Sequence, residues 1–153
     1  MVLAVDPEAN KRLVERFYDE VWARGNVEFT PEVFADDYVR HDLRPTPAMP
    51  GPGGQAQIAR AFREAFPDLR WRIDLLVAER DLVAARWTAS GTHTGPWAGV
   101  SPTGRPAEFS GVNIFRFGAT GKVVEIWNHR DDLGLSEQLG AAVFAGAPSP
   151  QTP

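Results

Sequence analysis

The stretch Gly121–Gly140, GKVVEIWNHRDDLGLSEQLG, decides how this chain folds. Its first half, Lys122 to Asp131, is rich in β-branched and aromatic residues and reads as a strand. From Leu133 to Leu139 the spacing becomes helical. Side chains alternate across a strand, so Glu125, Trp127, His129 and Asp131 share one face and Asn128, Arg130 and Asp132 the other. The first face sets an indole, an imidazole and a carboxylate in a row. That row reads as the wall of a small-molecule site.

The link before this strand, GATG, suits a three-residue hairpin loop, Ala119-Thr120-Gly121, with Gly121 in the left-handed position. In that register Phe117 pairs with Val123, Asn113 faces Trp127, Gly111 faces His129 and Phe109 faces Asp131. Gly111 would leave an empty volume beside the imidazole. One strand earlier, Ala85, Trp87, Ala89, Gly91 and His93 share a face: large at one end, small in the middle, polar at the far end. This suits a cavity wall, and equally a strand bending over a helix at Ala89 and Gly91. Asp131 and Asp132 are both well placed to cap the helix that follows. His129 fits a structural role as readily as a chemical one, and Glu125 is expected to pair with Arg116 or another cation.

Further out, four long period-two segments, Leu69–Val77, Leu82–His93, Ala107–Phe117 and Lys122–Asp131, have no helical pattern between them and predict an antiparallel sheet. Three helices precede them. Asp6-Pro7-Glu8 starts the first and Gly25 ends it. Thr30-Pro31-Glu32 starts a short second one through about Asp36. A third carries Ile58, Ala61, Phe62, Ala65 and Phe66 on one side and closes at Pro67. Between the second and third, Tyr38–His41 reads as a brief extended piece and Thr46–Gly54 as a loop. The class is α+β, with residues 1–144 as a single domain and 145–153 as a tail. At 153 residues, 43% hydrophobic and 24% charged, the chain has the composition of an ordinary globular domain. Its net charge of -4 and lack of a basic cluster argue against nucleic acid. No segment reaches the roughly 18 apolar residues of a membrane span, so a cytoplasmic protein is expected. There is no cysteine, and the three histidines, His41, His93 and His129, lack metal-ligand spacing.

The segments GTHTG (Gly91–Gly95), PTG (Pro102–Gly104), IFRF (Ile114–Phe117) and Gly121–Gly140, in this order behind three helices, resemble the SnoaL-like polyketide cyclases of the NTF2-like superfamily. The likeness covers about residues 8 to 140. It implies a cone-shaped barrel: three N-terminal helices packed on a strongly curved antiparallel sheet, a hydrophobic cavity between, and a short C-terminal helix. It also implies a homo-oligomer, such as a homodimer, built partly through the outer face of the sheet. By the same resemblance Asp131 is the general acid/base and His129 its catalytic neighbour. His93, Trp87, Phe109, Asn113, Trp127 and His41 are expected to bind substrate. The implied activity is intramolecular aldol cyclisation of an anthracycline-type aromatic polyketide ester, with no metal and no organic cofactor. The alternatives are a hydroxylase acting on the same substrate class and a non-catalytic small-molecule binding protein.

Overall fold

A computed structural model describes residues 5–141. The tail expected at 145–153 lies outside them. Helix α1, Pro7–Phe17, begins where Asp6 accepts the Ala9 N–H at 3.1 Å, and proline fills the first helical position. The chain then runs through a π-helical turn, Tyr18–Ala23, so that the first helical stretch is longer than α1 alone. A single 3-10 turn, Val27–Phe29, leads into α2, Thr30–Val33. Strand β1, Phe34–Asp42, follows at once, and α3, Pro52–Ala65, comes next. Strands β2 (Arg70–Glu79), β3 (Leu82–Thr92), β4 (Pro106–Phe117) and β5 (Val123–Arg130) lead into α4, Asp132–Gln138.

The five strands form one curved, unclosed sheet in the order β1-β5-β4-β3-β2. Strands β2 to β5 pair antiparallel with one another, as their patterns predict. Strand β1 departs from that expectation in two ways. It is nine residues long rather than a brief piece, and it pairs parallel to β5. The short helix α2 stops at Val33 because Phe34 is already needed in the core, fully buried against Phe17 and Tyr38. Helix α3 starts earlier than the loop reading allows, with Pro52 at its first turn and Gly53 and Gly54 inside it.

The helices cover the concave face. Phe17, Tyr18, Phe34 and Phe115 meet there edge to face and tilted, with ring centroids 4.7–6.1 Å apart across the cluster that also includes Tyr38. Each such side chain contributes about 1.5–3 kcal/mol by leaving water. The motif GTHTG ties this layer to α3: the N–H groups of Thr94 and Gly95 both donate to the Ala65 carbonyl, at 3.0 and 3.1 Å. Among the described residues, no helix is long and apolar enough to cross a membrane.

The β4–β5 register begins as expected. Gly118 N–H donates to the Lys122 carbonyl at 2.9 Å, Phe117 pairs with Val123, and Gly121 has φ +80°. A bulge then puts one extra residue, Val124, into β5, so that Arg116 pairs with Glu125. Every later pair is displaced by one from the expected register. Asn113 stands opposite Asn128, Val112 opposite His129, and Gly111 opposite Arg130. A one-residue slip exchanges the two faces of a strand. Ile126, Asn128 and Arg130 therefore look inward, and Glu125, Trp127 and His129 look outward.

The volume above Gly111 is not empty. The indole of Trp87, its partner on β3, lies across it, and a Cβ on Gly111 would stand 2.5 Å from the indole carbon Cζ2. Gly111→Ala is thus expected to force Trp87 out of place and to destabilise the fold by about 1–3 kcal/mol. An unchanged urea midpoint in this variant would show that the indole has room to move.

Candidate active site

The inward faces of the five strands meet the helices in a small chamber walled by Phe17, Trp22, Ile58, Phe62, Trp71, Trp87, Phe109 and Ile126. Its polar lining is Arg40, Gln55, Asn113, Asn128 and Arg130. The chamber encloses about 40 Å³, enough for a few waters or one compact substituent. It adjoins a wider mouth of about 460 Å³ between α3, α4 and the segments around Pro45 and Trp97. Ile58, Phe62 and Arg130 belong to both compartments. The Arg130 guanidinium rests on the Phe62 ring at 4.7 Å and is held by Asp132, with Nε 2.5 Å from Oδ1 and Nη2 3.3 Å from Oδ2. These two side chains form the partition between chamber and mouth.

A hydrogen-bonded chain runs along the chamber wall, and chemistry fixes its direction. The Trp87 indole N–H can only donate. It meets Asn113 Oδ1 at 2.7 Å, where the Tyr18 hydroxyl also donates at 2.6 Å. Asn113 must then present its amino group to Asn128 Oδ1, at 2.6 Å, and Asn128 Nδ2 donates to Asp42 Oδ1 at 3.0 Å. Asp42 in turn receives Arg40, with Nε to Oδ2 at 2.7 Å and Nη2 to Oδ1 at 3.0 Å. Burial pushes the Asp42 carboxyl up, but the hydrogen bonds and charge of Arg40, with Asn128, outweigh it and hold it below its ordinary value. Burial drives Tyr18 well above the ordinary phenol value, so its hydroxyl stays a neutral donor.

Three of the expected site residues are here: Trp87, Phe109 and Asn113 line the chamber. The others lie elsewhere. His129 is exposed on the convex face. Trp127 is on that face too, stacked on His41 at 5.2 Å and 15°. His41 Nε2 and Glu125 Oε2 are 2.7 Å apart, and Arg116 meets the other Glu125 oxygen at 3.2 Å, as the Arg116 pairing expected. The hydrogen bond with His41, joined by Arg116, holds the Glu125 carboxyl below its usual value. Asp131 is exposed and caps α4, its Oδ1 accepting the Gly134 N–H at 2.8 Å. His93 is fully buried outside the chamber lining, with Nδ1 accepting the Thr103 N–H at 3.2 Å. It ties the loop around Thr103 to the end of β3. Of the two aspartates placed to cap α4, Asp131 does so, and Asp132 turns to the mouth.

Arg40, Asp42, Trp71, Asn128 and Arg130 were not among the expected site residues. Tyr38, Arg40 and Asp42 do show a period-two pattern in the sequence, a cation and an anion on one strand face. No residue type around Val124 marks the bulge that brings Asn128 and Arg130 inward. Among the described residues, no group of three or more histidine and carboxylate side chains is arranged to hold a metal ion.

A curved α+β sheet closed by helices over an aromatic chamber with a few fixed polar groups is the architecture of an NTF2-like ligand-binding or catalytic domain. The sequence profile of the SnoaL-like polyketide cyclases matches residues 12–139, and the chain belongs to that family. Among solved structures it is similar to AclR of Streptomyces galilaeus, provisionally assigned as a hydroxylase, at 28% identity and TM-score 0.77 over 88% of this chain and 98% of that one. It is likewise similar to TsrD of Streptomyces laurentii, at 28% identity and TM-score 0.80 over 90% and 99%. A third is IdmH of Streptomyces antibioticus, provisionally assigned as a polyketide cyclase, at 30% identity and TM-score 0.71 over 86% and 99%. No functionally curated protein matches the sequence.

Asp42 gives the site a measurable pH signature. Its folded value lies below the unfolded one, which is near ~3.9. Its contribution to stability is therefore full above the unfolded value and is lost as pH falls through the folded one. Asp42→Asn leaves Arg40 without its counter-charge and should cost about 3 kcal/mol near neutral pH. The gap from the parent should narrow as pH drops below about 4. Urea midpoints at both pH values check this, and a gap independent of pH would contradict it.

Proposed function

We propose that this protein is a polyketide-tailoring enzyme of the cytoplasm that closes a ring on an anthracycline-type aromatic polyketide by intramolecular aldol addition, without an organic cofactor. The observation that carries the reading is the mouth. Asp132 is the sole carboxylate among the described residues lining either compartment, and Arg130 holds it where chamber and mouth join. Planar aromatic groups in the mouth meet Trp97 and Phe62, and Arg130 backs the Phe62 ring.

The chemistry asks little of the protein. A carbon between two carbonyls is already acidic, so a positioned carboxylate suffices to remove its proton. Asp132 takes that proton, the enolate carbon attacks a second carbonyl of the same molecule, and the carboxylic acid returns the proton to the new alkoxide. One carbon–carbon bond forms, no atom is gained or lost, and no redox partner is needed. Holding both ends of a flexible chain in one cavity supplies the orientation that the uncatalysed closure lacks. Asp132 thereby takes the acid/base role that the sequence suggested for Asp131, whose carboxylate is spent on the α4 cap. A homo-oligomer built through the convex face of the sheet would leave this mouth open.

The likeness to AclR favours one second reading, hydroxylation of the same class of substrate. The two separate by mass. Incubation with an anthracycline-type polyketide ester should give a product of unchanged mass and altered retention, with or without oxygen. A gain of one oxygen atom that vanishes under anaerobic conditions would move the assignment to hydroxylation. Binding without any turnover would leave a carrier.

The two aspartates provide the internal control. Asp132→Asn should lower kcat by roughly 10²–10⁴-fold, the usual worth of a general acid/base. Asp131→Ala should cost about 1 kcal/mol of stability through the lost cap and leave kcat within about twofold. The reverse pattern would return the role to Asp131.

A further inference from the structure

Two donors in the chamber have no acceptor. Arg40 Nη1 and Trp71 Nε1 are each shielded from solvent, and neither makes a hydrogen bond. Both residues line the same 40 Å³ space. The Tyr38 hydroxyl lies beside the Arg40 guanidinium, yet nothing meets Nη1 in hydrogen-bond geometry. An unpaired buried N–H costs about 1–3 kcal/mol, so a fold does not carry two in one small cavity without an occupant to receive them.

The rest of each residue is firmly fixed. Arg40 spends Nε and Nη2 on Asp42, which orients the guanidinium and balances its charge. Trp71 is clamped in an aromatic stack, 4.7 Å from Trp22, 4.1 Å from Trp87 and 5.5 Å from Tyr18. Neither free N–H can swing away to find another partner. The neighbouring amide oxygens of Asn113 and Asn128 are already engaged, so they do not await a donor from the ligand. What these two donors lack is an acceptor, and a carbonyl oxygen offers one lone pair to each.

We propose that the inner chamber is a carbonyl-binding subsite in which Arg40 and Trp71 donate to one hydrogen-free oxygen of the substrate, while its ring system lies in the mouth beyond Arg130. The chamber's size admits a carbonyl group and excludes a ring. This rests on the chamber being part of the active site, and it specifies which end of the substrate enters first: a ketone or quinone oxygen. If that ketone is the one enolised, negative charge grows on the oxygen that faces the two donors, and they stabilise the enolate at no cost in reorganisation. Arg40 and Trp71 would then be catalytic residues rather than wall.

The test uses 1-tetralone and tetralin, bicyclic probes of nearly the same shape that differ in one carbonyl. In ¹⁵N–¹H spectra, the indole resonance missing from Trp71→Phe identifies Trp71. It should shift when 1-tetralone binds and stay in place with tetralin. Trp71→Phe keeps the stack and removes the N–H, and Arg40→Lys keeps a cation for Asp42 and removes Nη1. Each should weaken 1-tetralone binding about three- to tenfold, the worth of one hydrogen bond, without changing tetralin binding. If Arg40→Lys does not fold, Trp71→Phe alone decides. Equal affinity for ketone and hydrocarbon, an unmoved indole resonance at saturation, or no binding of either probe would overturn the subsite. Turnover of the polyketide with Trp71→Phe unimpaired would also overturn it while sparing the cyclase. Ketone binding with the indole shift but no ring closure would spare the subsite and sink the cyclase.

Discussion

The interior of this protein is organised around the carboxylate of Asp42. It is the terminal acceptor of a partly buried chain that begins at two groups with hydrogens to give, the Trp87 indole and the Tyr18 hydroxyl, and passes through Asn113 and Asn128. Each amide in that chain can face only one way, because a donor-only group stands at one end and an anion at the other. The same carboxylate neutralises Arg40 and so permits a guanidinium inside an aromatic core. Strands β1, β3, β4 and β5 and the first helical segment all contribute a member, so the chain also locks the helices onto the sheet. Losing Asn113 would leave the Trp87 indole and the Tyr18 hydroxyl without their acceptor, which is costlier than never having placed them there.

From this follows the division of the cavity. The chain and the aromatic stack of Trp22, Trp71 and Trp87 make the inner chamber rigid and small, and Arg130 on Phe62 closes it off from a mouth more than tenfold larger. A rigid inner site selects by hydrogen-bond type, and a roomy outer one selects by shape and apolar contact. Relatives provisionally assigned to cyclisation and to hydroxylation share this scaffold, so the fold alone does not fix the chemistry.

The convex side of the sheet tells a different story. His41, Trp127, Glu125 and Arg116 make a stacked and ion-paired cluster there, beside the exposed apolar residues Val39 and Val112. Residues that looked like a catalytic row in the sequence are parts of this outer surface. Their physical character was read correctly, as an aromatic next to titratable groups; their side of the sheet was not.

What the sequence determined by itself was whatever depends on local chemistry. The Asp6-Pro7 cap, the period-two strands, the GATG turn with Gly121 in its left-handed place, the Arg116–Glu125 pair and the family motif were all legible, since each rests on a few neighbouring residues. The inward set Ala85, Trp87 and Ala89 was legible too, because β3 pairs with β4 along its whole length without interruption. What only the tertiary structure decided was the parity of β5 and the use of β1. Val124 has no property that marks it as a bulge; it is forced out where a curving sheet must accommodate one more residue than its partner strand. That single displacement, and the parallel docking of β1 beside β5, bring Arg40, Asn128 and Arg130 to one chamber, although Arg40 and Asn128 stand 88 positions apart in the sequence. Such contacts are fixed by global curvature and burial, which no window of neighbouring residues contains.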